Sequence, residues 1–286
     1  MTLTSWYMST RVSPLAGGDQ GSFSDDTPSR FRAYGWDVVE LGELAEDLDA
    51  LESALLAARQ TDRPSLLVLR SHIGFPSPDH TDDPHAHGLA FDAGAVTSTK
   101  QVMGIPDRPF WVPDGLVDAY RAHTTQRGAA AGAVWDESAG EAIADPAFRA
   151  ARDRTGTPGW ADELPTYEQG DKVATRKAIE AALNATVDGL PGLVAGSADL
   201  TGNTGTKLAT AVAQTAAQPG GRQVYYGVRE HAMGAAMVGM ALHGGVIPVG
   251  GTFFVFVDYM RPAVRLAALS RAKVCFVFTH DSVGVG

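Results

Sequence analysis

A glutamate at the start of one apolar, small-residue segment is the first group in this chain that could do acid–base chemistry. Glu230 lies within residues 226–234, directly after a short β-rich run and before a stretch rich in Ala, Gly and Met that is typical of a helix. A carboxylate in that position can complement the positive end of a helix dipole. It can equally exchange a proton with a bound base. Both interpretations stay open from the residue types alone.

Three aromatic residues follow a glycine pair, and they form the second candidate group. Phe253, Phe256 and Tyr259 are spaced three apart, which would place the rings on one face of a helix. Aromatic stripes with that spacing belong to a hydrophobic core more often than to a cofactor pocket. Gly250 and Gly251 precede the rings and would permit a ligand to approach the backbone closely. The core and the cofactor interpretation therefore both remain.

Further polar residues follow other apolar runs. Asp199 comes directly after residues 192–198 and can either cap a turn or face a ligand. His280 follows the run 273–279 and can be a ligand contact or simply a polar strand end. Cys275 lies inside that last run, so we interpret it as a small core residue and not as a nucleophile. As the single cysteine of the chain, it excludes an internal disulfide and a multi-cysteine metal cage.

Histidines and aspartates are dense between residues 72 and 87, which raises the question of a zinc site. The residues concerned are His72, Asp79, His80, Asp82, Asp83, His85 and His87. Their spacing matches no standard structural zinc pattern. Two prolines, Pro78 and Pro84, indicate an exposed loop instead. We therefore expect no metal ligands here.

Alternating strand and helix patterns must position these residues. In the first part of the chain, strands at 38–41 and 65–73 enclose a helix at 47–60, a parallel βαβ unit. In the second part we predict helices at 171–187, 207–218, 230–243 and 252–270, and strands at 192–198, 223–226, 246–249 and 273–279. This alternation predicts an α/β fold, an open parallel sheet with helices on both faces. Ligands of such sheets bind at the carboxyl ends of the strands.

Two segments fall outside this alternation. Residues 1–30 are rich in Ser, Thr, Gly, Asp and Pro without an apolar period, so we expect a loop or a frayed end. Residues 106–166 contain recurring prolines amid Ala- and Gly-rich sequence. We interpret them as an inter-domain linker, with short helices at 116–123 and 142–152 and an almost featureless stretch at 128–133.

Composition narrows the classes of partner. The formal net charge is −10 and no concentrated basic face is visible, which argues against a nucleic-acid partner. A few local Arg, His and Lys residues could still hold a small phosphorylated substrate. No apolar run approaches the roughly 20 residues of a membrane helix, and residues 1–10 lack the features of a secretory signal. We expect a cytoplasmic protein that does not associate with membranes.

Read in order, seven segments resemble the signature stretches of the transketolase family of thiamin-diphosphate enzymes. The segments are 32–36, 86–88, 174–177, 196–200, 226–234, 250–259 and 279–286. The resemblance implies parts of two thiamin-diphosphate-binding-type α/β domains, with parallel sheets flanked by helices and joined by a long linker. Residues 1–105 would form the C-terminal part of the diphosphate-binding domain, with an atypical or disordered start at 1–23. Residues 106–166 would be the linker, and 167–286 a pyrimidine-binding domain truncated at its C-terminal end.

The resemblance also implies roles for individual residues. Glu230 would hydrogen-bond N1′ of the aminopyrimidine of the cofactor, and His87 would lie near its diphosphate and the reacting sugar carbons. The implied catalytic residues are Glu230, His87 and His280. The implied cofactor-binding residues are Glu230, Phe253, Phe256, Tyr259, Asp199 and His87. Contacts to the substrate phosphate are implied for Arg176, His280 and Asn203, although the family more often has a serine at the position of Asn203.

The function implied is reversible transfer of a two-carbon ketol unit from a ketose phosphate to an aldose phosphate, in the pentose phosphate pathway, by a homodimer. The family holds Mg or Ca on the cofactor diphosphate through a Gly-Asp-Gly motif followed by an Asn, and the chain lacks that motif. We therefore expect a fragment that is inactive alone and carries no metal ligands. The alternatives are a related thiamin enzyme, of the dihydroxyacetone synthase or deoxyxylulose-phosphate synthase type, or a non-catalytic remnant.

Overall fold

A computed structural model of the chain describes residues 4–10, 24–88 and 90–281. The chain divides into two units, Met1–Ala122 and His123–Gly286. Within the described part of the first unit, three parallel strands pair in the order β1-β3-β2. They are β1 (Thr4–Thr10), β2 (Asp37–Gly42) and β3 (Ser65–Ser71). The central strand β3 is more buried than β2, with Leu66 and Leu67 almost inaccessible to solvent.

Three helices accompany this sheet, and each starts at an aspartate. They are α1 (Thr27–Ala33), α2 (Leu48–Ala58) and α3 (Ala93–Val102). The carboxylates of Asp26, Asp47 and Asp92 each accept a hydrogen bond from the backbone N–H three residues further on, the contact that caps a helix start. Ala54 and Ala58 of α2 pack on Leu67 of β3. The predicted parallel βαβ unit is thus confirmed as β2-α2-β3.

The expectation of a structureless segment at residues 1–30 is wrong for its described parts. Thr4–Thr10 forms β1, paired in parallel with Ser65–Ser71. That pairing joins segments about sixty residues apart, so local composition gives no sign of it. α1 begins inside the same segment, with Pro28 in its first turn, where the fixed φ of proline is favourable. Residues 1–3 and 11–23 of the expected loop lie outside the described residues.

The second unit contains a parallel sheet that has the order β5-β4-β6-β7 within the described residues. Its strands are β4 (Leu193–Ser197), β5 (Gln223–Tyr225), β6 (Ile247–Phe253) and β7 (Cys275–Thr279). Its helices are α5 (Pro146–Asp153), α6 (Thr175–Thr186), α7 (Glu230–His243) and α8 (Val257–Leu269). The predicted α/β fold with an open parallel sheet is confirmed, and the predicted bounds of α7 agree with the structure.

The linker prediction of two short helices around a featureless stretch is wrong. A single helix, α4 (Leu116–Ala144), runs through residues 128–133, and α5 follows it after a break at Asp145. Alanine has the highest helix propensity, so an Ala-rich run continues a helix even without an apolar period. No helix in the described ranges is long and apolar enough to cross a lipid bilayer.

The helix predicted at 207–218 is also wrong: the segment forms bends, turns and isolated bridges, and the buried Gln223 side chain binds its start. Gln223 accepts a hydrogen bond from the Leu208 N–H at 2.8 Å and donates to the carbonyl of Ala195 at 3.0 Å. Ala213 also forms an isolated parallel bridge with Gln223. At this bridge the Gln214 N–H donates to the Gln223 carbonyl at 2.8 Å and the Gln223 N–H donates to the Val212 carbonyl at 3.2 Å, so backbone groups that a helix would have paired within itself bond to β5 instead.

The helix predicted from residue 252 starts later. β6 continues through Gly250 and Gly251 to Phe253, a 3₁₀ turn covers Phe254–Phe256, and α8 begins at Val257. Strand pairing explains the later helix start, because Gly250 and Gly251 pair with β4 on one side and β7 on the other.

The two faces of the second sheet have different cores. Under α6 the buried residues are Leu183, Val187, Leu193, Ala195, Leu208 and Val249. Under α7 and α8 they are Ala198, Met233, Met237 and Met260. The second face is closely packed because it contains glycines: a Cβ on Gly250 would overlap the sulfur of Met237. A Cβ on Gly234 would lie 2.9 Å from both the Ala263 Cβ and the Met260 Cε.

We predict that two glycine-to-alanine changes on α7 differ in stability although they remove the same helix penalty. Gly239 has open space around its missing Cβ, so Gly239→Ala should raise the free energy of unfolding by ~1 kcal/mol. Gly234→Ala gains the same propensity but must displace α8. Its free energy of unfolding should fall ~1–3 kcal/mol below that of Gly239→Ala, the usual cost of overpacking. Urea denaturation followed by circular dichroism measures both; equal stabilisation would contradict the close α7–α8 contact.

Candidate active site

The carboxyl ends of the second sheet meet at one edge, because all described pairs in that sheet are parallel. From β4 the chain passes to β5 on one side, whereas from β6 it passes to β7 on the other. β4 and β6 are neighbours, so the chain connections leave this pair in opposite directions. Open α/β sheets bind ligands at such a switch point.

A cavity of about 480 Å³ opens at this edge. Its lining residues come from the segments that follow β4, β5 and β6: Ala198, Asp199, Leu200, Val228, Glu230, Phe256 and Tyr259. The structure therefore brings Glu230, Asp199 and two of the three candidate rings into one cavity. Leu200 and Val228 were missed by the sequence analysis. Val228 is 74% exposed, and an apolar residue in a turn after a strand was the signal that could have found it.

α7 carries Glu230 into the cavity as the first residue of its inward face. The buried positions of α7 recur at helical spacing: Glu230, Met233, Gly234, Met237, Val238 and Ala241. Glu230 is 8% exposed, and its carboxylate makes no hydrogen bond or ion pair with the residues that the structure describes. A buried carboxylate without a partner costs free energy. Its position is therefore better explained by a ligand than by the small effect of the helix dipole.

The turn before Glu230 is fixed by neighbouring contacts. Tyr226 packs against the methionine cluster of α7 and α8, and burial raises the pKa of its phenol to about 12. The guanidinium of Arg229 donates to the Tyr226 carbonyl at 3.0 Å. Gly227 between them has a φ of +70°, which glycine adopts without strain. These contacts determine where α7 begins.

Asp199 lies exposed at the mouth of the cavity with a φ of +62°, in the left-handed region that aspartate tolerates better than most residues. The turn itself is capped by Ser197, whose hydroxyl accepts a hydrogen bond from the Leu200 N–H at 2.8 Å. The interpretation of Asp199 as the turn cap is therefore wrong. No hydrogen bond or ion pair joins its carboxylate to another part of the described chain.

The three rings form a contiguous stack and not a helical stripe in the core. Phe253 ends β6, Phe256 ends the 3₁₀ turn, and Tyr259 lies in α8. Their centroids are 6.1 Å apart for Phe253–Phe256 and 6.1 Å apart for Phe256–Tyr259, with interplanar angles of 15° and 28°. Tyr259 is 66% exposed, so the core interpretation is wrong. Phe253 does not line the cavity, but it supports Phe256 from behind.

Arg176 and His280 lie together at the same edge. Arg176 is in the first turn of α6, and its Nη1 lies 3.3 Å from Nε2 of His280. A guanidinium only donates, so a hydrogen bond between these two atoms requires Nε2 to be the acceptor. The His280 ring also lies 5.0 Å from that of Phe253. Two of the three residues assigned to the substrate phosphate by resemblance are thus neighbours.

Asn203 lies on the loop after β4, which passes close to α6. A Cβ on Gly205 of this loop would overlap the carbonyl of Arg176, so only glycine fits there. The side chain of Asn203 is exposed and forms no hydrogen bond with the described residues. The structure thus brings its loop, but not its amide, to Arg176.

His87 belongs to the first unit, exposed at the end of the 3₁₀ turn Pro84–His87. The acidic residues before it have local partners: Asp82 binds His72 at 2.9 Å, and Asp83 accepts from the backbone N–H and the ring of His85. Those two hydrogen bonds lower the pKa of Asp83 to about 2. Among the residues that can be described, no group of three or more His, Cys, Asp or Glu could hold a metal ion.

The core interpretation of Cys275 is wrong. Cys275 is exposed because it starts β7, which is an edge strand of the sheet as described.

Comparisons with known proteins extend these observations to the whole chain. The family model described as "Transketolase, thiamine diphosphate binding domain" matches residues 2–155. The model described as "Transketolase, pyrimidine binding domain" matches residues 171–286, which contain the cavity.

Individual relatives agree with the family models. The chain is 37% identical to the transketolase of Aquifex aeolicus over 95% of its length and 40% of that protein. It is 42% identical to the chromosomal transketolase of Cupriavidus necator over 95% of its length and 42% of that protein. The chain thus spans about two fifths of the length of the curated relatives it matches.

Solved structures match the fold as well. Transketolase from Leishmania mexicana superposes with a TM-score of 0.88 at 34% identity, covering 99% of this chain and 43% of that one. A transketolase from Pichia stipitis in complex with sedoheptulose-7-phosphate gives a TM-score of 0.85 at 33% identity, covering 99% of this chain and 44% of that one.

Proposed function

The chain belongs to the transketolase family, and from that premise we propose that its cavity holds the aminopyrimidine of thiamin diphosphate. One observation carries the proposal: a buried carboxylate without a protein partner, Glu230, faces a cavity lined by two stacked rings. The volume of about 480 Å³ is within the range of small-molecule sites. Apolar and aromatic walls suit a flat heteroaromatic ring, and a carboxylate suits its ring nitrogen.

In this proposal Glu230 holds the proton that it shares with N1′ of the pyrimidine. Its low exposure limits contact with water, which competes for hydrogen bonds. Phe256 and Tyr259 orient the ring, and Asp199 lies at the mouth of the cavity. When bound, thiamin diphosphate supplies the nucleophilic carbon and the electron sink for ketol transfer.

Arg176 and His280 are proposed to bind the substrate phosphate, with a weaker contribution from Asn203. The planar guanidinium matches the geometry of phosphate oxygens. A phosphate dianion bound between Arg176 and His280 would replace the hydrogen bond that joins them. Each side chain would then donate a charge-assisted hydrogen bond to a phosphate oxygen. His87 is proposed to act near the cofactor diphosphate and the reacting sugar carbons.

For the whole protein we propose reversible transfer of a two-carbon ketol unit between sugar phosphates, by a cytoplasmic homodimer of the pentose phosphate pathway. The Pichia stipitis complex with sedoheptulose-7-phosphate supports sugar phosphates as the substrate class. A Mg or Ca ion would hold the cofactor diphosphate through ligands outside this chain. The domain division into residues 1–105, 106–166 and 167–286 also stays a proposal.

The assignment of Glu230 is tested by titrating the chain with thiamin, which contains the aminopyrimidine, in a calorimeter. Glu230→Ala should weaken thiamin binding about 10- to 150-fold, the factor that corresponds to loss of a charged hydrogen bond of ~1.5–3 kcal/mol. Glu230→Gln, which keeps a polar group without the charge, should fall between wild type and Glu230→Ala. The exposed Glu163 provides the matched control, and Glu163→Ala should bind like wild type.

Inorganic diphosphate distinguishes the two halves of the cofactor in the same titration. Because the cavity is proposed for the pyrimidine, Glu230→Ala should leave any diphosphate binding unchanged. Equal thiamin affinity in wild type and Glu230→Ala would reject the pyrimidine assignment.

The phosphate role of Arg176 is tested by comparing xylulose 5-phosphate with unphosphorylated xylulose. Wild type should bind the phosphorylated sugar more tightly, and Arg176→Ala should lose about tenfold or more of that affinity while xylulose binding stays the same. Lys177→Ala changes the neighbouring exposed cation, which pairs with Glu180 at 2.6 Å, and should have little effect. If Lys177→Ala lost as much affinity for xylulose 5-phosphate, the effect would come from the overall positive charge and not from a specific phosphate site.

We further expect the 286-residue chain alone to be inactive, because its sequence lacks the Gly-Asp-Gly motif that anchors the metal and diphosphate in the family. With thiamin diphosphate, Mg²⁺, xylulose 5-phosphate and ribose 5-phosphate, sedoheptulose 7-phosphate should not accumulate above the level without protein. Its detection by mass spectrometry would contradict this expectation and place the whole reaction in this chain.

A further inference from the structure

The turn that carries the aromatic stack begins without a local cap. The 3₁₀ turn Phe254–Phe256 follows Phe253, and α8 follows Phe256, yet neither start has a side chain bonded to its backbone from the usual capping position. The first N–H groups of a helix lack acceptors within the helix, so they need partners from elsewhere.

Asp281 supplies such a partner from 26 residues further along the chain. Its Oδ1 accepts a hydrogen bond from the Val255 N–H at 3.0 Å. Val255 is the second residue of the 3₁₀ turn, and a capping side chain normally bonds to the second or third N–H of a helix. Asp281 therefore does for this turn what Asp26, Asp47 and Asp92 do locally for α1, α2 and α3.

The end of β7 contacts the aromatic turn at further points. In the β6–β7 register Phe253 pairs with Thr279, and the Phe253 ring lies 5.0 Å from the ring of His280. The contact between Val255 and Asp281 thus continues the same offset two residues beyond the last strand pair. It reaches the backbone of the residue that precedes Phe256, a lining residue of the cavity.

We propose that Asp281 is a positioning residue: by holding the Val255 N–H, it fixes the turn that places Phe256 beside Glu230. Asp281 is not a lining residue of the cavity, so its effect on a ligand passes through the turn. The effect on the ligand rests on the proposed function, whereas the effect on the turn does not.

The turn itself is tested first, without any ligand. In the ¹⁵N-labelled chain, Asp281→Ala should accelerate hydrogen exchange of the Val255 amide about fivefold, the factor that corresponds to the ~1 kcal/mol of a helix cap. Asp281→Asn should stay close to wild type, because asparagine caps about as well as aspartate. Unchanged exchange in Asp281→Ala, or equal acceleration in both variants, would overturn the proposal.

The consequence for the ligand is tested second, by thiamin titration of the same variants. Asp281→Ala should weaken binding about fivefold and Asp281→Asn should restore it. If wild type does not bind thiamin, the proposed function fails, but the exchange measurement still decides the role of Asp281. Thiamin binding by Asp281→Ala that equals wild type, together with faster exchange, would overturn the positioning role.

Asp145→Ala is the matched control. Asp145 also accepts a backbone hydrogen bond at a helix start, from the Ala147 N–H at 2.9 Å in α5. It should destabilise the chain by a similar amount. It should leave Val255 exchange and thiamin affinity unchanged, and a change in either would attribute the Asp281→Ala effects to general destabilisation.

Discussion

Close packing of α7 against β6 is the constraint on which the candidate site depends. Gly250 allows Met237 to rest on the strand backbone, and Gly234 allows α8 to approach α7. The inward face of α7 is thereby fixed in rotation, and Glu230 is the first residue of that face. A helix rotated by one residue would turn this carboxylate away from the cavity and bury a different side chain. The packing of the methionines therefore determines that the Glu230 carboxylate faces the cavity.

The same packing supports an arrangement that is unfavourable in isolation. A buried carboxylate without a protein partner costs free energy, and Asp199 adds a non-glycine residue in the left-handed region. Proteins keep such features where a ligand compensates for them and stability elsewhere is sufficient. Here both features lie at the switch point of a parallel sheet, between β4 and β6, where α/β proteins bind ligands.

Local signals in the sequence predicted a large part of this architecture. The alternation of apolar runs gave the parallel sheet of the second unit, and the start of α7 at Glu230 followed from an acid before a small-residue helix. Strand ends also led to the edge at which Asp199, Glu230 and Phe256 meet. These features depend on residues close together in the chain, which is why a single sequence contains them.

Apart from α4, which follows from local alanine content, the features that sequence reasoning missed depend on partners far apart. β1 forms only because β3 offers a parallel edge. In residues 207–218 the backbone groups of Val212 and Gln214 bond to Gln223 of β5 and not to one another in a helix. Even the ring spacing was misread: Phe253, Phe256 and Tyr259 stack because strand, 3₁₀ turn and helix follow one another. Knowledge of the strand order would have been needed to foresee any of them.

The aromatic stack also connects the residues proposed to bind the substrate phosphate with those proposed to bind the cofactor ring. Arg176 contacts His280, whose ring lies against Phe253, and Phe253 stacks on Phe256 at the wall of the cavity. The groups proposed for the substrate phosphate and for the cofactor ring are thus joined by direct side-chain contacts, each starting from a different strand or helix. Because neighbouring strands of a parallel sheet end at one edge, the β6–β7 register brings His280 beside Phe253, and α6 supplies Arg176. A shift of β7 against β6 would separate His280 from Phe253, so the sheet itself sets the distance between the two proposed subsites.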